Sequence, residues 1–518
     1  MLGPSVSGDL PGRPRSPWIE TTADEYDGYE PLVGETSTDV AIVGGGIAGL
    51  TTAARLADRG YGVVLCERDR LAAGVTGKST AKLTSQHGLI YDGLRREFGR
   101  GRARQYADAN EHAIEAVAER VDELEIADAC GFERRPAYVY GDDRDAIERE
   151  VDAATDAGLA ASFVTSVPPF ERAECAVRFE EQACIQPRRY LLALADALAD
   201  RDTVQIHERT RVTDVDAGAE PRVETADGRV EADHVVLATG FPILDRLGLF
   251  ARMHPKRSYV LGLRIAGEPP EGMYYRPAAG ARNYRSVRTH RDRDGTLVLV
   301  GGENHKTGQG GSTPNRYRRL ARWARERFDV TEIAYHWSTQ DYVSADRVPL
   351  VGAAGPGAEN VWIATGFGGW GMTGGTVAGR LLAALIDGEE PPEASLYDPS
   401  RFTPKASFGD AVTETVDAAS QFATDWLRTL VGPTLESVDP GEGRVVREGR
   451  SPIAVSRDES GELRSVSAVC PHMYCVVDWN DAEESWDCPC HGSRFEPDGT
   501  VIEGPASADL PPADPEGD

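Results

Sequence analysis

Residues 38–67 read TDVAIVGGGIAGLTTAARLADRGYGVVLCE. An apolar run from Val40 to Val43 enters Gly44-x-Gly46-x-x-Gly49. Leu50, Ala53, Ala54 and Leu56 then recur at helical spacing, and a second apolar run from Gly62 to Cys66 ends on Glu67 and Arg68. The pattern predicts strand, tight turn, helix and strand. Gly44 permits the turn, Gly46 lets a pyrophosphate approach the backbone, and Gly49 lets helix and strand pack closely. At Ile47 and Ala48 the helix start offers unpaired N–H groups and a positive dipole end to phosphates. Glu67 stands where a carboxylate can accept hydrogen bonds from a ribose diol. A glycine-rich turn alone is common, but strand, helix and terminal acid in register point to a dinucleotide site.

Two distant segments decide which dinucleotide. RVEADHVVLATGFPI (229–243) is an apolar strand ending in Ala238, Thr239 and Gly240, and NVWIATGFGGWGMTGGTVAGRLLAALIDG (360–388) is a strand, a glycine-rich turn and a helix. The late turn supplies a second helix N-terminus, whose N–H groups could hold a flavin carbonyl as reduction makes it anionic. A nicotinamide site has no need of that element.

On VAIVGGGIAGL near the start and ATGFGGWGMTGGTVAG near residue 370, the chain resembles the D-amino-acid-oxidase-like flavoproteins of glycine-oxidase type. TGKSTAKLTSQHGLIYDGL (76–94) and YHWSTQDYVSADRVPLVG (335–352) are similar to a subgroup with an appended iron-sulfur domain. The resemblance covers residues 18 to 400. It implies an extended FAD, with adenine near Val212 and phosphate and ring contacts from Ser79, Thr80 and Ala81. The flavin is implied beneath the turn of Gly366, Gly368, Gly369, Trp370, Gly371, Met372 and Thr373. The expected fold is an α/β Rossmann-like FAD-binding domain, discontinuous over 36–95, 180–245 and 340–395. Segments 96–179 and 246–339 would form an α+β substrate domain, after an N-terminal extension at 1–35. The first is helical in pattern (YADANEHAIEAVAERVDELEI), the second strand-like (SYVLGLRI, GTLVLVGG).

Acidic residues outnumber basic ones 84 to 56, a formal net charge of −28. That field disfavours nucleic acid and anionic membranes as partners. The lysines are Lys78, Lys82, Lys256, Lys306 and Lys405, and nearly all other positive charge is arginine, a balance similar to that of halophilic proteins. No apolar run of 18 residues is present, so no transmembrane segment is expected. A cytoplasmic protein is expected, with a Pro/Gly-rich start that settles onto the body near Trp18. Cys66, Cys130, Cys175 and Cys184 are scattered and read as ordinary buried thiols.

The other four cysteines lie in CPHMYCVVDWNDAEESWDCPCHGSRF (470–495). Before it, GDAVTETVDAASQFATDWLRTL (409–430) has helical spacing, in a linker placed at 396–432. Short alternating runs follow and predict a small all-β domain at 433–518, whose modest core would benefit from a metal or disulfide staple. Cys470-x-His472 and Cys488-x-x-His491 would suit zinc on ligand count alone. Zinc fingers, however, group cysteines apart from histidines, whereas here each loop carries one of each. The module resembles Rieske proteins, in which one iron of a 2Fe-2S cluster takes both thiolates and the other both imidazoles. The resemblance implies a disulfide between Cys475 and Cys490 joining the two loops, in tension with a cytoplasmic location. It also implies that Ser493 hydrogen-bonds the cluster. Phe495 stands where respiratory relatives have tyrosine, and Pro471, Met473 and Tyr474 depart from the common C-T-H-L-G-C. With one hydrogen bond fewer, the potential is expected within about −150 to +300 mV but below the top of that span.

Together the two cofactors imply an FAD-dependent dehydrogenase. It would oxidise a small amine or amino-acid-like substrate by hydride transfer to flavin. Electrons would then pass singly through the cluster to a ferredoxin, cytochrome or quinone-linked carrier. Reversed flow, with the cluster reducing flavin, and a redox-sensing regulatory flavoprotein are the alternatives. Exposed cluster histidines are expected, for electron exchange. Lys82, His87, His305 and Lys306 are the weak catalytic candidates. Arg257, Arg264, Tyr259 and Tyr275 fall in the substrate segments, where an arginine could clamp a carboxylate.

Overall fold

The computed structural model describes residues 10–170, 173–279, 283–401, 438–448 and 451–514. The helix expected at 409–430 lies outside the described residues.

Strands Val204–His207, Val63–Cys66, Gly34–Val43, Gly228–Gly240 and Val361–Thr365 run parallel in that spatial order. Antiparallel strands extend this sheet. Val63–Cys66 is buried at every position, as a parallel strand covered on both faces must be. The helix Ile47–Ala57 follows the glycine turn, and Gly371–Ile386 packs against it. Two glycines permit that contact: a Cβ on Gly379 would meet Thr51 at 2.6 Å, and one on Gly375 would meet Ile47 at 2.7 Å. The late glycine run therefore serves helix packing as well as its turn.

A second sheet runs Asp329–Ser344, Met253–Ala266, Gly295–His305, Arg285–Asp292, Met273–Arg276, Ala137–Gly141, Cys175–Phe179 and Ala161–Val164. Along Met253–Ala266 the alternate residues Lys256, Ser258 and Val260 line a cavity, as the two-residue period of a strand requires. The long helical stretch Tyr91–Glu123 kinks at Gly99, whose φ is 83°. Trp18 is fully buried and its indole donates to the Ser79 carbonyl at 2.8 Å, which ties the N-terminal segment to the cofactor loop.

Near the C-terminus lie two small antiparallel sheets. One holds Glu442–Glu448, Ser451–Arg457 and Leu463–Ser467; the other holds Asp478–Asn480, Ser485–Asp487, Arg494–Phe495 and Val501–Glu503. Their core includes Trp486, Phe495 and the four cysteines of the motif. Among the described residues no helix is long and apolar enough to cross a membrane.

Candidate functional site

A cavity of about 370 Å³ lies between the two large sheets and gathers motifs far apart in the chain. Its dinucleotide end is lined by Gly44, Gly46, Ile47, Ala48, Glu67 and Arg68. Val212, Ala238, Thr239 and Gly240 continue that wall. Ser79, Thr80, Ala81 and Lys82 line the middle, and Gly368, Gly369, Trp370, Gly371 and Met372 bring in the late turn. Gly49, Gly366 and Thr373 are outside the lining. A Cβ on Gly49 would lie 1.9 Å from the Gly44 carbonyl, so its role is close packing. Thr373 donates to the Thr84 carbonyl at 3.1 Å.

These residues fit an extended dinucleotide. A Cβ on Gly44 would meet the Ala238 carbonyl at 2.5 Å, and φ there is 112°, so the turn admits only glycine. Glu67 accepts from Gly45 N at 2.7 Å and Asp69 N at 2.9 Å, and burial raises its pKa. It therefore clamps the glycine loop, and its oxygens keep acceptor capacity for a ribose. Thr76, which sequence reasoning missed, accepts from Ile47 N at 3.2 Å and lines the same wall.

At the other end, Lys256, Tyr275, Tyr284, Trp370 and Asp341 line the cavity. The Lys256 ammonium lies 4.9 Å from the Tyr284 ring centroid, and among the described residues no hydrogen bond or ion pair reaches it. Burial lowers its pKa. Asp341, its register partner on the neighbouring strand, accepts from Gly369 N at 2.5 Å and Tyr342 N at 2.8 Å. Burial pushes this carboxyl up to about 6. Tyr275 stacks on Tyr284 and meets Trp370 edge-on. That end of the cavity thus sets Lys256 and Asp341 beside an aromatic wall.

The weak catalytic candidates separate. Lys82 lines the cavity, but its ammonium donates to the Tyr274 carbonyl at 2.7 Å, and burial lowers its pKa to about 7. His87 stacks behind Trp370, bonded to Tyr106, Thr84 and Thr373; burial holds its pKa near 3, so it stays neutral. His305 bonds Tyr259 and the Gln309 carbonyl, away from the cavity. Lys306 lies beside the cluster motif, where its charge helps lower the pKa of His491. Neither expected arginine clamp faces the cavity: Arg264 forks onto Asp292, and Arg257 is buried against the C-terminal domain.

In that domain the Cys470 and Cys488 thiols hydrogen-bond each other, and Ser493 also bonds Cys470. The His472 and His491 rings meet edge-on with centroids 5.0 Å apart. Burial pushes the pKa of His491 down to about 4, and its Nδ1 is buried without a partner among the described residues. Two paired thiols and neutral imidazoles, one with an orphaned ring nitrogen, fit a cluster bound by two Cys and two His. Cys475 and Cys490 form a disulfide across the loops. The histidines are not exposed as expected: Phe250 meets His472 and His491 edge-on at 6.2 and 5.7 Å, and Phe241 meets His472 at 6.4 Å. Both phenylalanines belong to the segment after the Gly228–Gly240 strand, so the flavoprotein part covers the histidine edge.

The dock is polar and tight. Arg257 pairs with Glu483 and, at 3.5 Å, with Glu503, and Arg494 pairs with Glu483 at 2.8 Å and Asp487 at 2.9 Å. Against the burial that would raise it, Arg257 and Arg494 pull the Glu483 carboxyl down to about 2. Gln309 donates to the Pro489 carbonyl at 3.0 Å, and Thr313 to Asn480 at 2.7 Å.

Residues 39–385 match the FAD dependent oxidoreductase family, and residues 430–513 match the Rieske [2Fe-2S] domain. A Bacillus subtilis (strain 168) protein named for its Rieske 2Fe-2S iron-sulfur character, YhfW, is 36% identical over 493 residues, covering 94% of this chain and 95% of that one. Gamma-glutamylputrescine oxidoreductase of Escherichia coli (strain K12) is 23% identical over 394 residues, covering 72% and 89%. The crystal structure of glycine oxidase from Geobacillus kaustophilus superposes with a TM-score of 0.57 at 18% identity, covering 71% of this chain and 99% of that one. The first domain accordingly binds FAD and the second a 2Fe-2S cluster. With two thirds of its length matched by one family and its end by the other domain, the chain belongs to the FAD-dependent oxidoreductases and carries a C-terminal Rieske domain.

Proposed function

We propose that this oxidoreductase oxidises a small amine or amino-acid-like substrate and passes the electrons, within one chain, to its own Rieske domain and on to a one-electron acceptor. When bound, FAD takes two electrons as hydride and the cluster transfers them one at a time. The observation that carries the reading is the shared wall between the two sites. Gln340 and Tyr342 line the FAD cavity; Gln340 also donates to the Gly492 carbonyl in a cluster loop at 2.8 Å, and Tyr342 to the Gly504 carbonyl at 2.6 Å.

Lys256 and Asp341 support the substrate class. A zwitterion presents a carboxylate that Lys256 would hold and an amine that ionised Asp341 would attract, with Tyr275, Tyr284 and Trp370 packing the remainder. The E. coli relative's name, which specifies a polyamine derivative, agrees with oxidation at a C–N bond. Hydride leaves a neutral amine more readily than an ammonium, and Asp341, with a pKa raised to about 6, is suited to take that proton.

The test is anaerobic reduction with a panel of amines and amino acids, read by flavin absorbance and low-temperature electron paramagnetic resonance. Flavin bleaching followed by a reduced Rieske signal is the expected result. Bleaching with the cluster left oxidised refutes the relay. A panel that reduces neither centre favours the reverse flow or the regulatory reading.

A further inference from the structure

We infer that residues 501–507 of the Rieske domain are part of the FAD site and act as a latch that retains the dinucleotide. The segment lies on the far side of the domain boundary from every motif assigned to FAD, yet it lines the same cavity.

Its tethers come from the dinucleotide end. Arg68, next to the Glu67 clamp, donates to the Ile502 carbonyl at 2.6 Å. Arg211, next to Val212, donates to the Ser507 carbonyl at 2.7 Å and pairs with Asp509 at 2.8 Å. Tyr342 holds the Gly504 carbonyl. Two arginines that a bare nucleotide-binding domain would leave to solvent or phosphate thus grip backbone of the second domain.

The segment is equally fixed from behind. Ala506 N donates to the buried Ser493 hydroxyl at 2.9 Å, and Val501 N to Asp509 at 2.9 Å. Ser493 in turn bonds Cys470 in the cluster loop. One short stretch is therefore held by the folded Rieske domain on one side and by the FAD cavity on the other.

Linkage follows. If FAD contacts the docked segment, docking raises FAD affinity, and FAD strengthens docking by the same factor. The Rieske domain is then a structural part of a complete flavin site, whatever the direction of electron flow.

The test uses the full-length, FAD-loaded protein and reads FAD release by the recovery of free-flavin fluorescence. Asp509→Ala removes the ion pair with Arg211 and the acceptor of Val501 N, at a residue outside the cavity lining. Glu483→Ala weakens the dock at a residue that is itself outside the cavity lining. Both are expected to release FAD faster, by roughly 5- to 150-fold as coupling of this kind allows. Arg464→Ala, on an exposed outer strand, is expected to match wild type. In wild type, hydrogen exchange of the 501–507 amides should slow when FAD is added to the FAD-free protein. Unchanged release in Asp509→Ala, with faster exchange proving the segment freed, overturns the inference. If Asp509→Ala does not fold, unchanged release in Glu483→Ala overturns it instead.

Discussion

Gln340 Nε2 donates a 2.8 Å hydrogen bond to the backbone carbonyl of Gly492, from the wall of the flavin cavity to the loop that carries Cys488 and His491. Its side-chain oxygen accepts from Thr307, so both ends of the amide are used inside a buried interface. A Cβ on Gly492 would meet Pro255 at 2.5 Å, which is why the loop can come this close. Replacing Gln340 by leucine leaves the Gly492 carbonyl and the Thr307 hydroxyl without partners. The expected cost is about 1–3 kcal/mol for each stranded group, read as a lower urea midpoint with a slower appearance of the reduced Rieske signal after flavin reduction.

Lys256→Met should weaken binding of carboxylate-bearing substrates while leaving simple amines nearly unaffected. Loss of a charge-assisted hydrogen bond is worth about 1.5–3 kcal/mol, roughly 10- to 150-fold in KM. Equal loss for both classes, measured by steady-state kinetics, would remove Lys256 from the carboxylate role.

Asp341 is ionised in the folded protein only above a pKa of about 6. Amine affinity is therefore expected to fall as pH drops through 6, and Asp341→Asn should flatten that profile. Stability runs the other way. The folded pKa exceeds that of the free carboxyl, so the contribution is full below the unfolded value near 3.8 and is lost as pH rises through 6. Asn at 341 should remove this loss, which urea unfolding at pH 4 and pH 8 will measure.

Glu483 behaves oppositely. Its folded pKa, about 2, lies below the ordinary 4.5, so its stabilisation is present above 4.5 and lost as pH falls toward 2. Glu483→Gln should make docking insensitive to pH in that window. At neutral pH it leaves Arg257 with Ser338 and the 3.5 Å contact with Glu503, so the loss should not exceed about 3–5 kcal/mol, the cost of breaking a buried pair outright. Differential scanning calorimetry should show the Rieske transition separating from the rest.

Removing the Cys475 to Cys490 disulfide, which spans 15 residues, should destabilise the Rieske domain by about 3 kcal/mol in the chain-entropy account. Cys475→Ser with Cys490→Ser, compared with wild type under reducing and oxidising conditions, checks it. A double variant as stable as oxidised wild type would show that the cluster loops are held by other contacts.

Lys82 has a folded pKa of about 7 against an ordinary 10.5. Between those values the unfolded chain binds the extra proton, so stability rises with pH across this range. Lys82→Met should abolish that slope in urea midpoints measured from pH 7 to 10. A persisting slope would assign it to other groups.

Much of the cofactor chemistry was legible because its determinants are contiguous. Gly44, Gly46 and Gly49 answer to backbone approach within one turn, and Cys470, His472, Cys488 and His491 sit on two short loops whose spacing alone limits what they can bind. Side chains whose role depends on an opposing element were not. His87 and Lys306 stood in loop-like glycine-bearing stretches, yet one is sealed behind Trp370 and the other sits beside the cluster. Arg257 matched the profile of a carboxylate clamp and instead clamps Glu483 of the other domain. The signal that could have found Asp341 is a lone acid in the strand-like run HWSTQDYVS, since an acid is costly to bury unless used.

By itself, the sequence determined a dinucleotide-binding unit, a second glycine turn suited to flavin and a two-Cys, two-His motif in a small β domain, because each rests on local backbone geometry or ligand count. Tertiary structure alone decided that Lys256 and Asp341 become register partners from strands 85 positions apart. It also decided that Phe250 covers the cluster histidines and that residues 501–507 close the FAD cavity. Strand register and domain docking are set by the summed burial of many side chains, and no short stretch of chain encodes that sum.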